Sequence, residues 1–573
     1  MKNIATYVMG LDFGTDSVRA LLVDARTGKD VKSAVKAYPR WKEQQYCEAN
    51  ENRFRQHPLD HLECMEACVK ETLSELPADL IANIAGISAA TTGSTPVPVD
   101  VSGTPLALTP GFEKDPDAMF ILWKDHTAFA EADAINHLAH TWETDYTRYS
   151  GGTYSAEWFW SKISYVVKTN ARVRKHAFSW LEHCDWIPAV LTNHKDPCSL
   201  KRSRCAAGHK AMWHDDFGGL PSEKFLSNLD PYLGELRQRL YQDTYTSDQF
   251  AGILAPYWAR RWGLPEGVKV GVGAIDAHMG AIGAGIGQGS MVKVMGTSTC
   301  DMLVVPMEKY SRQAVKGICG QADGSILPGM TGLEAGQSAF GDLYAWLRDI
   351  LAFPLEELLA GMLPAEVLSN AAAQILPALA DKAASLTVNE NDVIALDWIN
   401  GRRTPDADFS RTAALAGLRL GTDAPQLFKA MVEATAFGSK AIVECLRQEQ
   451  VEIKEVIAMG GIPQKSPYAI QTLSNVLDMP VKTTKSEHAC ALGAAICAAT
   501  ASGIYGSIEE AQGVMASGFD QHYLPEKRKS KVYKTLYQKY CWLGNASYAI
   551  TPGQDQHLNK HNHENRLLKV EGK

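Results

Sequence analysis

The chain has 573 residues, of which 45% are hydrophobic and 21% charged, an ordinary globular balance long enough for two large domains, each with its own core. With 57 Lys and Arg against 65 Asp and Glu the net charge is −8, which argues against a nucleic-acid or anionic-membrane surface. The 12 cysteines are dispersed with no C-x-x-C, so reduced thiols and a cytoplasmic location are expected. From the N-terminus, Tyr7–Asp24 reads as an apolar strand ending in Asp12, a tight turn Gly14-Thr15-Asp16-Ser17, and a second apolar strand. A carboxylate followed by a Gly-hydroxyl turn suits a metal-bound polyphosphate: glycine admits close approach, small side chains leave amides free, and Asp12 can hold the cation. An ordinary hairpin with an acid at its mouth is the alternative. No G-x-x-x-x-G-K-[ST] occurs anywhere. Met1-Lys2-Asn3 runs straight into this strand pattern, so no signal peptide is expected.

Val31–Tyr46 reads as a further strand and connection. His57–Leu76 is helical in spacing, with Leu62, Met65, Cys68 and Leu73 on one side. Ile84–Ala89 is a buried-strand pattern that breaks into the hydroxyl-rich loop Thr91–Pro96, the kind of place where open α/β sheets contact ligands. Residues 121–126 bring an aromatic, a cation and a carboxylate together in Trp123, Lys124 and Asp125. Gly151–Lys162 is dense in aromatics, which serve as core or pack on sugar C–H surfaces.

Val268–Asp276 reads as a strand ending on an acid, followed by a small-residue segment. Met291–Val305 then repeats the opening pattern: apolar strand, Gly296-Thr297 with hydroxyls, apolar strand. Two similar α/β halves, each with a phosphate-facing turn, can close on one nucleotide. Beyond Phe340 the Ala/Leu-rich stretch to Asp392 reads as helical. Thr422–Arg447 is the clearest helix, capped by Asp423 with Gln426 in its first turn. Ile453–Met459 is a strand running into Gly460-Gly461 and a further helix, an arrangement that presses backbone against a flat ligand or a phosphate. Ala489–Ile504 is apolar but shorter than the roughly 20 residues that cross a bilayer. The end from Gln554 is polar and expected to fray.

Taken in order, Asp12-Phe13-Gly14-Thr15, Asp276, Gly296-Thr297-Ser298 and Gly460-Gly461 resemble the FGGY carbohydrate kinases of the actin-like ATPase fold, over nearly the whole chain. The resemblance implies an α/β protein of two actin-like (ribonuclease H-like) domains with a nucleotide and sugar cleft between them. The corresponding division is residues 1–262, residues 263–545 and a polar tail over 546–573. The strings Thr91–Asp100, Phe120–Ala128, Lys316–Ser325, Gly332–Asp342 and Asp397–Pro405 resemble the branch that phosphorylates L-ribulose at its terminal hydroxyl in arabinose catabolism. Another ketopentose or pentitol (D-ribulose, xylulose, ribitol) and, more remotely, an actin-like ATPase switch are the alternatives.

By that resemblance Asp276 is the base that takes the sugar's proton. Gly14, Thr15, Asp16, Gly296 and Thr297 hold the phosphates of ATP, Asp12 holds Mg²⁺, and Gly336, Gly460, Gly461 and Lys465 line the nucleoside. The sugar side is Ser94, Thr95, Trp123, Asp125, Lys210 and Glu334 together with Asp276. Asp125 and Glu334 are carboxylates in apolar neighbourhoods, costly to bury without partners. A homodimer is implied by the resemblance alone. Two positions depart from the family pattern: Lys465 stands where Asn is usual, and Glu157 where Lys is common.

Overall fold

The computed structural model describes residues 6–547, so all but the first residues of the tail expected over 546–573 lie outside the described residues. The opening hairpin forms as its apolar alternation dictates. Strand β1 (Tyr7–Phe13) pairs antiparallel with β2 (Ser17–Asp24), and β2 with β3 (Asp30–Ala37). Helix α1 (Pro58–Leu73) covers one face and buries Met65, Cys68 and Leu73. Strand β4 (Ile84–Thr91) then adds parallel to β1, because an intervening helix allows the crossover that a tight turn does not.

The sheet is completed by β5 (Phe250–Ile253), β6 (Lys269–Gly271) and β7 (Ala274–Ile275), in the order β5-β6-β4-β1-β2-β3 with β7 on β4. Strands β6 and β7 lie beyond residue 262, the end expected for the first domain, and carry the first sheet up to Asp276 itself.

The second sheet repeats the core of the first. A meander of β8 (Ser290–Met295), β9 (Thr299–Pro306) and an edge pair, β10 (Gly320–Asp323) and β11 (Met330–Ala335), is antiparallel throughout. Strand β12 (Glu455–Met459) adds parallel to β8, β13 (Val481–Thr484) parallel to β12, and β14 (Phe519–Tyr523) antiparallel to β13. The run β11-β9-β8-β12-β13 matches β3-β2-β1-β4-β6 of the first sheet in order and direction, whereas β10 has no counterpart and the antiparallel edge strand comes before β6 in the first sheet but after β13 in the second. The repeat seen as Gly14-Thr15 and Gly296-Thr297 is part of a repeated five-strand core.

Between the sheets lie α2 (Asp276–Gly283) and, farther along the chain, α4 (Ala489–Ala501), separated in sequence by α3 (Ala424–Gln448) of the second lobe. One buried cluster joins Val8 and Leu21 of the first sheet to Val292 and Ile457 of the second through Met279 and Leu492. Gly493 makes this possible: any side chain there would run into the Met279 carbonyl. The Ala/Gly-rich run is therefore a packing device between lobes. No helix among the described residues is long and apolar enough to cross a membrane.

Candidate active site

Each lobe carries one glycine-hydroxyl turn. In the first, Gly14 N donates to Ser17 O at 3.0 Å and closes the turn. Thr15 is pinned twice, its hydroxyl accepting from Trp123 Nε1 at 2.9 Å and its carbonyl from the Gln56 amide at 2.7 Å. Trp123 therefore sits on the first turn. Asp16 is exposed and accepts from the Trp41 indole at 2.6 Å. In the second turn, Gly296 N donates to Ser298 O at 3.0 Å, leaving Gly296 and Thr297 exposed.

Sequence reasoning missed the glycine that supports this second turn. Gly341 N donates to Gly296 O at 3.0 Å, and a Cβ on Gly341 would stand 2.6 Å from that oxygen. Gly336, expected to line the nucleoside, is buried instead. Its N–H donates to Thr404 Oγ1 at 3.2 Å, and the space its side chain would need is filled by Thr299 backbone, so it is a close-packing glycine. Gly460 has φ of +100° and presses on β8, with a Cβ there only 2.6 Å from Met295 O. Gly461 faces open space, and Lys465 ends the short exposed helix that follows.

Asp12 is the last residue but one of β1 and Asp276 opens α2, and the charge of Asp12 reaches the Asp276 carboxyl. Burial pushes Asp276 up to about 7, with the charge of Asp12 adding to the effect. Burial likewise pushes Asp12 up to about 6, against the opposing pull of Arg19. Asp276 Oδ1 accepts from Ala277 N at 2.6 Å, which fixes its orientation. Two carboxylates raised by burial, one of them feeling the charge of the other, are hard-oxygen donors of the kind that suits a divalent cation.

On the far side of Asp276 the structure brings Lys210 and Glu334 together. Lys210 Nζ lies 2.7 and 2.8 Å from the two Glu334 oxygens, both side chains buried. Burial alone would raise Glu334, but Lys210 outweighs it and holds the carboxyl down at about 2. His209 Nδ1 and His278 Nε2 stand 3.5 and 3.7 Å from Glu334 Oε2. Burial keeps both imidazoles neutral, with His278 lowered to about 4. Neither histidine was singled out from sequence; His278 is two residues past the acid that ends the strand, which was the available signal.

Three expected sugar contacts are corrected. Asp125 is fully buried, and both oxygens are already doubly occupied: Oδ2 by Phe54 N and Arg55, Oδ1 by the Thr127 N–H and hydroxyl. It braces the loop beneath Trp123. Ser94 and Thr95 turn inward. The Ser94 hydroxyl and the Thr95 N–H donate to Glu182, and the Thr95 hydroxyl pairs with Thr92 at 3.0 Å. The Ser94 carbonyl accepts from buried Lys162 at 2.8 Å. The loop borders the site, but its hydroxyls hold the loop together.

The chain matches the FGGY carbohydrate-kinase N-terminal domain over residues 7–283 and the C-terminal domain over residues 291–502. It is 48% identical to the ribulokinase of Vibrio parahaemolyticus over 541 residues, 94% of this chain and 95% of that protein. Against the ribulokinase of Bacillus licheniformis identity is 35%, covering 91% of this chain and 94% of the relative. Among solved structures, a xylulose kinase from Lactobacillus acidophilus superposes with TM-score 0.75 at 18% identity, covering 95% of this chain and 99% of its own. A glycerol kinase with ADP from Plasmodium falciparum gives 0.72 at 15% identity, covering 94% and 98%. The chain belongs to the FGGY family of carbohydrate kinases, enzymes that phosphorylate a sugar with ATP.

Proposed function

We propose that the substrate is L-ribulose, phosphorylated at its terminal hydroxyl to L-ribulose 5-phosphate. The observation that carries this reading is the position of Asp276, with Asp12 and the phosphate turns on one side and the buried Lys210–Glu334 pair on the other. The ribulokinase names of the relatives supply the choice among ketopentoses.

In the reaction the Asp276 carboxylate accepts the proton of the terminal hydroxyl as its oxygen bonds to the γ-phosphorus. The bond from that phosphorus to the β,γ-bridging oxygen breaks, and ADP leaves. A base raised toward 7 by its surroundings is matched to this proton transfer at neutral pH. Lys210 and Glu334 supply a donor and an acceptor for the polyol and fix which hydroxyl meets Asp276. The amides of the turns at Gly14-Thr15 and Gly296-Thr297 bind the phosphates, and Gly460 and Gly461 lie against the nucleoside. Asp12, with Asp276 beside it, would hold Mg²⁺, which when bound neutralises phosphate charge.

The 12 cysteines are all free, which supports a reducing, cytoplasmic setting. ADP release measured across L-ribulose, D-ribulose, D-xylulose and ribitol tests the reading. The highest kcat/KM is expected for L-ribulose; a clear preference for any other member of the panel overturns the choice of substrate.

A further inference from the structure

Glu157 sits on the first lobe, just ahead of the helix Phe159–Thr169. Its Oε1 accepts from His126 Nε2 at 2.8 Å and from Arg403 Nη2 at 3.1 Å. Arg403 belongs to the second lobe, in the loop over residues 397–405, so this bond crosses between lobes. The two side chains are only 13% and 19% exposed, which places the pair among shielded ion pairs and apart from surface ones worth little.

Each end of the bridge is one residue from the sugar pocket. Trp158, next to Glu157, has its ring centroid 5.3 Å from Lys210 Nζ. Thr404, next to Arg403, meets Cys319 Sγ at 3.4 Å, and Cys319 N donates to Glu334 O at 2.8 Å. The bridge therefore spans the same two lobes as the Lys210–Glu334 pair and runs beside it. A lysine at position 157 would set two cations against each other here.

We propose that Glu157 is a positioning residue for phosphoryl transfer: through Arg403 it holds the 397–405 loop of the second lobe against the sugar pocket, so that the lobes come into register around the sugar. The proposal rests on the kinase reading of the cleft. The sugar is met from both lobes, by Lys210 of the first and Glu334 of the second, and its hydroxyl meets the phosphates productively only when the lobes are registered. The bridge's neighbours lead to Lys210 and Glu334 and not to the glycine turns or Gly460, so the ATP contacts feel it least.

The test is a double-mutant cycle of Glu157→Gln, Arg403→Gln and both together, with kcat and KM measured separately for L-ribulose and ATP and folding checked by thermal unfolding. Each single variant is expected to lower kcat/KM for the sugar about tenfold, with the double no worse than either single. The KM for ATP is expected to stay within about twofold of the unaltered chain. Singles with unaltered sugar constants, losses that multiply in the double variant, or a KM for ATP that rises in step with that for sugar each overturn the inference while leaving the kinase reading intact. If the unaltered chain turns over no ketopentose, the kinase reading falls and takes the inference with it.

Discussion

Asp276 carries two opposing demands, and each predicts a measurement. As the proposed proton acceptor it is replaceable by nothing neutral, so Asp276→Asn should lower sugar-dependent kcat by about 10²–10⁴-fold while ATP still binds. As a buried carboxylate repelled by Asp12 it also destabilises the fold. Its folded pKa of about 7, and that of Asp12 at about 6, lie above the ordinary 3.8, so the folded chain holds these protons more tightly than the unfolded one. Their stabilising contribution is complete below about pH 4 and is lost as pH rises through 6 to 7. Without Mg²⁺, Asp276→Asn should therefore raise the thermal midpoint at pH 7.5 by roughly 2–4 °C, and added Mg²⁺ should stabilise the unaltered chain more than the variant. A variant that melts lower than the unaltered chain in metal-free buffer would refute the repulsion between the two acids. The place of Asp276 in the fold was legible because an acid directly after an apolar strand and before small residues is a local pattern. Asp125, Ser94 and Thr95 were misread because composition shows that a loop is polar, whereas the direction of each side chain depends on distant partners such as Arg55 and Glu182.

At the scale of elements, local chemistry and tertiary contact separate cleanly. The helix at 424–448 was readable because Asp423 and Gln426 form a capping box within four residues, each side chain bonding the other's backbone. Asp423→Ala should cost about 1 kcal/mol in denaturant unfolding and leave kcat unchanged, since the cap is exposed. Gly460→Ala tests the opposite kind of element. Its backbone is left-handed and its missing side chain accommodates the Met295 carbonyl, so alanine should cost roughly 1–3 kcal/mol and raise the KM for ATP. Equal effects of the two substitutions on ATP KM would mean that the Gly460 turn does not touch the nucleotide. The double glycine was visible in the sequence. The role of Gly341 was not, because it depends on an approach to Gly296 from a segment some forty residues later.

For the whole molecule, the duplication was announced by two short turns, but the matching strand orders came only from pairing at long range. The same holds for the lobes' most consequential contact. Lys210 comes from the first lobe and Glu334 from β11 of the second, and no local pattern couples residues so far apart. Apart, each ion is hydrated; together, they are buried and depend on each other. Lys210→Met keeps the aliphatic stem but strands the Glu334 charge, which should cost about 3–5 kcal/mol and abolish sugar turnover. Replacing both, Lys210→Met with Glu334→Leu, removes the uncompensated charge and should recover most of that stability without recovering activity. The neighbouring His278 sharpens the outcome. Burial comes first in holding this imidazole at about 4, with Glu334 pulling it up and Lys210 pushing it down. With the ammonium gone and Glu334 still charged, His278 should take up a proton more readily, so the instability of Lys210→Met alone should diminish as pH is lowered from 7.5 toward 5.5. If the single and double variants are equally unstable, or the single is insensitive to pH, the pair is not the buried joint between lobes; if the double variant is stable and still phosphorylates L-ribulose, it is not the sugar's anchor.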